Sequence, residues 1–217
     1  PFSPAPARSQ QIAFEKRASG ATISIGNPWP AKDPAGSPKP GDSISVQGTC
    51  LTVVSANEGQ IFFDISDETL KATVLANAFP GRVLNLERAL RFGGDVSGHF
   101  VTGHVDGVGR VETFERSGRF AMLSVLLPRE LLSYVVAKGS IAVDGASLTV
   151  ASIEGDRFTV ALIPETLSRT TLMTLSPGDL VNIETDLIGK HVVRYLSMTN
   201  ETGGGGLTLD HLADAGF

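Results

Sequence analysis

Ser43, Gln47, Cys50, Thr52, Glu68 and Thr69 make one set of hydroxyl, amide, thiol and carboxyl groups, and Lys138, Asp144, Ser147, Thr149, Glu165, Thr166 and Asp186 make a second. Gln47 and Asp144, Cys50 and Ser147, Thr52 and Thr149, Glu68 and Glu165, and Thr69 and Thr166 each stand 97 residues apart. In "SISVQGTCLTVVS" and "SIAVDGASLTVAS" a glycine comes shortly before the Cys50 or Ser147 position. Glycine permits a tight turn or a close backbone approach, which leaves nearby N–H and C=O groups open to a planar, amide-rich ligand. Matched polar sets suggest two similar pockets reading similar ligands. The plainer reading is a Leu-Thr-Val strand with glycine at a hairpin corner.

Other chemistry is poorly supported. Cys50 is a nucleophile only as its thiolate, and no histidine lies near it in sequence, so a small buried apolar residue is the simpler reading. His99 and His104 in "GHFVTGH" are five apart, which places them on opposite faces of an extended strand. That spacing suits a metal poorly, and there is no zinc-type ligand cluster. "GHVDGVGRV" is not followed by a helix pattern and is not a dinucleotide fingerprint.

The elements that must position these groups come as a duplication. With a constant offset of 97, residues 43–90 match residues 140–187 at 18 of 48 positions, a period that marks a duplicated domain rather than a solenoid. Each copy consists of short alternating segments punctuated by Gly, Pro and Asp, which predict antiparallel strands: "SISV", "LTVV", "IFFDI" and "VLNLE", then "SIAV", "LTVAS", "FTVALI" and "LVNIE". "GHFVTGHVDGVGRVETFE" and "FAMLSVLL" add two strands ahead of the second copy, and "PRELLSYV" reads as a helical turn opened by Pro128. "QQIAFEKR" and "ATISI" are their counterparts ahead of the first. About six strands per copy are best hidden in a closed barrel. Eight of the twelve prolines fall in the first 40 residues, so "PFSPAPAR" and "GNPWPAKDPAGSPKPGD" predict coil, and the first barrel is expected to be incomplete or frayed at its start. "ERALRFGGDVSG" reads as a linker whose charges are solvated. Ile188, Val192 and Leu196 form one apolar helical stripe, with Lys190 and Arg194 elsewhere. "GGGG" at 203–206 predicts a break, and "TLDHLADAGF" a last short helix.

A net charge of −5, dispersed basic residues and 6% aromatic content argue against nucleic acid as a partner. A single cysteine forms no internal disulfide, so a cytoplasmic location is expected. No apolar run approaches a membrane span, and "PFSPAPARSQ" carries no apolar signal core.

"GHFVTGHVDGVG", "KGSIAVDGASLTV", "IPETLSRTTL" and "GDLVNIETDLIGKHVVRYL", preceded by "GDSISVQGTCLTV", together resemble riboflavin synthase of the duplicated-barrel type, from residue 41 to about 217. The resemblance implies an all-β fold of two tandem six-stranded Greek-key barrels, the first over residues 1–95 and the second over 96–187, with a C-terminal helical segment over 188–217 that gathers a homotrimer. It implies a transferase without metal or redox cofactor. Two molecules of 6,7-dimethyl-8-ribityllumazine exchange a four-carbon unit, giving riboflavin and a ribitylamino-pyrimidinedione. Two copies of one substrate are well served by two related pockets, and orientation of the pair then supplies most of the catalysis.

By the same resemblance, Ser43, Cys50 and His104 polarise groups or move protons. The first pocket includes Cys50, Leu51 and Thr52 with Asp64, Ile65, Ser66, Asp67, Glu68 and Thr69. The second includes Gly103, His104, Val105, Lys138, Ser147, Leu148, Thr149, Leu162, Ile163, Pro164, Glu165 and Thr166, with Asp144 and Asp186 in support. The reacting pair is implied to lie between barrels of neighbouring subunits. The family opens with Met-Phe-Thr-Gly-Ile-Val, whereas this chain keeps Phe2 and a hydroxyl at Ser3 but has Pro4, Ala5 and Pro6, and has Gln47 where Asn is usual. Two rival readings are a lumazine or flavin carrier without catalysis, and a flavin-binding oxidoreductase barrel. The second lacks its Arg-x-Tyr-Ser/Thr motif.

Overall fold

The computed structural model describes residues 7–201 apart from 30–32, 34, 35, 78 and 97. Strands β1 (Ala7–Lys16), β2 (Ala21–Gly26), β3 (Ser43–Val46), β4 (Thr49–Ala56), β5 (Gln60–Ile65) and β6 (Val83–Arg88) build one barrel. Strands β7 (Gly107–Ser117), β8 (Phe120–Leu126), β9 (Ser140–Val143), β10 (Ala146–Glu154), β11 (Arg157–Leu162) and β12 (Leu180–Thr185) build the other. In each, three successive strands meander, while the second strand pairs with the fifth and the sixth closes on the first, the crossovers of a Greek key.

Alternation sets the barrel walls. In β4, Leu51 and Val53 point into the core and Thr52 and Val54 point outward; in β5, Ile61, Phe63 and Ile65 are buried and Asp64 is exposed. Register shifts fall at Val53/Ser55 in β4 and at Val150/Ser152 in β10, positions 97 apart, so the duplication has kept the bends that help close each barrel.

The first barrel is closed, against the expectation that the prolines would leave it incomplete. From Ala7 onward β1 carries no proline, and it pairs with β6 over Ala7 to Gln10 and with β2 over Gln11 to Lys16. Residues 1–6, and the Pro-rich positions 30–32, 34 and 35, lie outside the described residues, as do the "GGGG" break and the last predicted helix. The other departure is "GHFVTGHVD", which is no strand. Gly98 and Gly103 take φ of +84° and +79°, and β7 starts only at Gly107.

The barrels meet across a pseudo-two-fold junction built from the two hairpin corners. Gln47 and Asp144 sit at φ near +50°, followed by Gly48 and Gly145 whose backbones face each other. A Cβ on Gly48 would lie 2.6 Å from the Gly145 nitrogen, so the corners require glycine. The Asn85 amide donates to the Asp144 carbonyl (3.1 Å) and the Asn182 amide donates to the Gln47 carbonyl (2.7 Å), each reaching into the other barrel. Their side-chain oxygens accept from Thr171 N–H (2.8 Å) and Val74 N–H (2.7 Å). The matched asparagines of the repeat are therefore the rivets of the junction.

Short helices follow β5 and β11: α1 (Asp67–Ala72), capped by Ser66, and α2 (Pro164–Arg169), opened by proline at its first turn. The predicted turn after Pro128 is a 3-10 segment, Arg129–Tyr134. Helix α3 (Leu187–Glu201) leaves the second barrel with Ile188, Val192 and Tyr195 more than half exposed.

Candidate functional site

Two outward-facing walls carry the predicted groups. On the first, Ser43 of β3 lies opposite Thr52 of β4, and Cys50 stands two residues before Thr52. The lower edge is the start of α1. Ser66 Oγ accepts from Thr69 N–H (3.1 Å), Asp67 accepts from Gly20 N–H (2.9 Å), and Asp64 accepts from the Thr22 hydroxyl (2.7 Å). Glu68 is exposed, whereas Leu51 and Ile65 turn into the core and contribute only backbone to the wall.

The second wall repeats this geometry with a different finish. Ser140 lies opposite Thr149, and Ser147 and Thr149 are exposed while Leu148 and Leu162 are buried. Ile163 stands where the first copy has Ser66 and is half exposed, so this edge is more apolar. Pro164 leads α2, Glu165 pairs with Arg169, and the Thr166 carbonyl accepts from Thr170 N–H (3.0 Å). Lys138 is exposed at φ +68°, with its N–H on the Val150 carbonyl (2.8 Å).

Two of the residues expected in the second pocket, Gly103 and Asp144, have other neighbours. Gly103 packs against the first wall: Cys50 N–H donates to its carbonyl (2.8 Å), so it sits beside Cys50 rather than Ser147. Exposed His104 and half-buried Val105 continue from it. Asp144 is only 1% exposed and belongs to the barrel junction, where Oδ1 accepts from Asn182 N–H (2.8 Å). Burial pushes its carboxyl up to about 7. Asp186 caps α3, accepting from Ile188 N–H (2.9 Å).

The segment 98–103 is a strap that the sequence did not reveal. Glu184 holds it by accepting from Thr102 N–H (2.7 Å), the Thr102 hydroxyl (2.8 Å) and Gly103 N–H (2.9 Å). Asp106 anchors its exit, accepting from Thr185 N–H (2.7 Å) and its hydroxyl (2.8 Å) and pairing with Lys190 (2.7 Å). The one signal in the sequence is the matched pair Glu87/Glu184 within the repeat. Glu87 has burial as its dominant influence and is pushed up to about 8. Clefts of about 540 Å³ lie at the barrel junction and beside α3, and neither includes Cys50 or Ser147. Thr52 on the first wall and Ser147 and Thr149 on the second are exposed, and Ser43 and Cys50 are partly exposed. Among the described residues no group of three or more His, Cys, Asp and Glu could hold a metal, and no helix is long and apolar enough to cross a membrane.

Comparison with known proteins agrees with the duplication. The model of the lumazine binding domain matches twice, over residues 12–89 and 102–186. Riboflavin synthase of Bacillus amyloliquefaciens is 43% identical over 162 residues, covering 75% of each chain. That of Chlamydia muridarum is 45% identical over 151 residues, covering 70% of this chain and 74% of the relative. The chain belongs to the riboflavin synthase family. As a riboflavin synthase it is an enzyme, a transferase. Its fold is also that of LumP: the crystal structure of LumP complexed with riboflavin superposes with a TM-score of 0.77 at 26% identity, covering 85% of this chain and 99% of that one. LumP complexed with 6,7-dimethyl-8-ribityllumazine gives 0.75 at 24% identity, with the same coverage.

Proposed function

We propose that the riboflavin synthase activity of this chain is the dismutation of two 6,7-dimethyl-8-ribityllumazine molecules, one held on each wall. A four-carbon unit passes from one to the other, leaving riboflavin and 5-amino-6-ribitylamino-pyrimidinedione. The observation that carries this reading is the pair of walls itself, which repeat the Ser43–Thr52 and Ser140–Thr149 pairings and differ at Cys50 against Ser147. Two identical substrates that react with one another need two like sites brought face to face, and the rate gain comes mainly from that orientation. No metal or redox cofactor enters the reaction, because one substrate is oxidised as the other is reduced.

Because both walls face outward, the reacting pair is enclosed when the first barrel of one subunit meets the second barrel of another. The exposed stripe of α3 supports a homotrimer. Ser43, Cys50 and His104 serve the first wall as polarising or proton-moving groups. Thr52 and residues 64–69 hold its ligand, while Lys138, Ser147, Thr149 and residues 162–166 hold that of the second. Asp144 and Asp186 act through the junction and through α3. A cytoplasmic location fits a lone unpaired thiol.

The test is incubation with the lumazine and a count of riboflavin formed by its fluorescence. One riboflavin per two lumazines consumed is expected; tight binding with no product would make the chain a carrier. In single-turnover experiments Cys50→Ala is expected to slow product formation at least tenfold, and unchanged turnover would remove Cys50 from the mechanism.

A further inference from the structure

The strap "GHFVTGH" repeats a Gly-His pair, and each glycine meets the same position of a different copy. A Cβ on Gly98 would lie 2.4 Å from Ser147 Oγ, and one on Gly103 would lie 2.7 Å from Cys50 Cβ. The two histidines that succeed these glycines are placed differently. His104 is exposed, whereas His99 is 9% exposed and its Nδ1 lies 2.7 Å from Ser147 Oγ. His99 Nε2 is buried and has no hydrogen-bond partner. No histidine is bonded to Cys50 among the described residues. The second wall thus has an exposed serine whose hydroxyl is backed by a buried imidazole, and the first wall has no such pair.

We propose that Ser147 and His99 form the base that removes the methyl proton of the lumazine on the second wall, which makes that ligand the carbon nucleophile of the pair. This rests on the reaction proposed above. The methyl C–H bond breaks and its electron pair stays on the ligand, delocalised over the heteroaromatic ring. The proton passes to Ser147 Oγ as the Ser147 proton passes to His99 Nδ1, leaving an imidazolium that returns its proton later in the cycle. Desolvation holds the His99 imidazole below its ordinary pKa, so it rests neutral and ready to accept. Asp186 and Glu184 are the charged groups that act on the ring in the opposite sense, and they favour the imidazolium once it forms.

His99→Asn separates basicity from geometry, because an asparagine oxygen near the Nδ1 position accepts the Ser147 hydroxyl but takes no proton. Deuterium exchange into the lumazine methyl, lumazine binding and riboflavin formation are measured on the same protein. Exchange and product formation are expected to fall about 100-fold in His99→Asn and in Ser147→Ala, with the lumazine affinity of His99→Asn within about threefold of wild type. The double variant should be no slower than the worse single one. The acidic limb of the wild-type pH–rate profile should disappear in His99→Asn. Exchange within about threefold of wild type in either single variant, or a surviving acidic limb, would overturn the proposal while riboflavin formation by wild type keeps the dismutation. Wild type that binds lumazine but accelerates neither exchange nor product formation overturns both. Lumazine affinity near that of wild type in His99→Asn shows that this variant is folded, and Ser147→Ala, with the imidazole intact, tests the same base through its other member.

Discussion

At the scale of single residues, the most consequential group outside the two walls is Asp144. Its carboxyl lies in the junction with Oδ2 unpartnered, and burial lifts it from an ordinary value near 3.8 to about 7. A folded-state pKa above the unfolded one means that the folded chain binds the extra proton. The stability this group contributes is complete below about pH 4 and is lost as pH rises to about 7. Glu87 acts in the same direction, so the comparison must isolate Asp144. Asp144→Asn keeps an oxygen for the Asn182 N–H and removes the titration. Urea unfolding between pH 4.5 and 7.5 is expected to show the variant gaining on wild type by a few kcal/mol across the window, an order-of-magnitude figure. Parallel curves would mean that Asp144 does not carry the proton. Glu184 tests the strap at the same scale. Glu184→Gln leaves one oxygen for three donors and is expected to lose about 1–3 kcal/mol, with slower product formation, by thermal unfolding and fluorescence assay.

At the scale of elements, the strap couples the walls because its two glycines are wedged at equivalent places. Gly103→Ala would set a Cβ 2.7 Å from Cys50 Cβ and 2.8 Å from its nitrogen, at φ +79°, where a backbone atom cannot rotate away. A loss of about 1–3 kcal/mol and weaker lumazine binding at the first wall are expected, read by the urea midpoint and by fluorescence titration. Gly98→Ala, at φ +84°, meets Ser147 Oγ at 2.4 Å and Ser147 Cβ at 2.9 Å, so it too should lose stability, and its catalysis should fall more because the clash lands on the proposed base. Wild-type binding in Gly103→Ala would show that the strap does not shape the first wall. Strands, hairpin corners, the Pro128 turn and the α3 stripe were legible because each rests on local alternation or a local breaker. The strap was not, since its acceptor Glu184 lies 82 residues from Thr102 and nothing near "VTG" announces it. Asp144 was misplaced for a related reason. A hairpin corner looks alike in sequence whether it opens to solvent or meets its twin. The N-terminal prolines misled because they stop short of Ala7, where pairing with β6 begins.

At the scale of the whole molecule, duplication solves one problem and creates another. Fusing two lumazine-binding barrels gives two walls of different composition on one chain, Cys50 on one and Ser147 with His99 on the other, which on the proposed reading are two sites of different chemistry. The junction that joins them uses up the hairpin corners, so within one chain Asn85 and Asn182 tie the barrels together at the corners and not through the two walls. In the trimer proposed above, enclosure comes from another copy. Ile188, Val192 and Tyr195 are 59%, 52% and 67% exposed on α3, an apolar face that a second and third helix would cover. Val192→Asp, placed beyond both barrels, is expected to leave thermal stability of the barrels near that of wild type. In sedimentation it should convert a species of three times the 22.8 kDa chain mass into one of a single chain. The decisive pairing is of two assays on that variant. Lumazine should still bind each wall within about tenfold of wild-type affinity, because each wall's polar contacts belong to one chain. Riboflavin formation should fall by more than about 100-fold, because orientation of the pair supplies most of the rate. A monomeric variant that still makes riboflavin at the wild-type rate would place the reacting pair within one subunit and remove the need for the trimer.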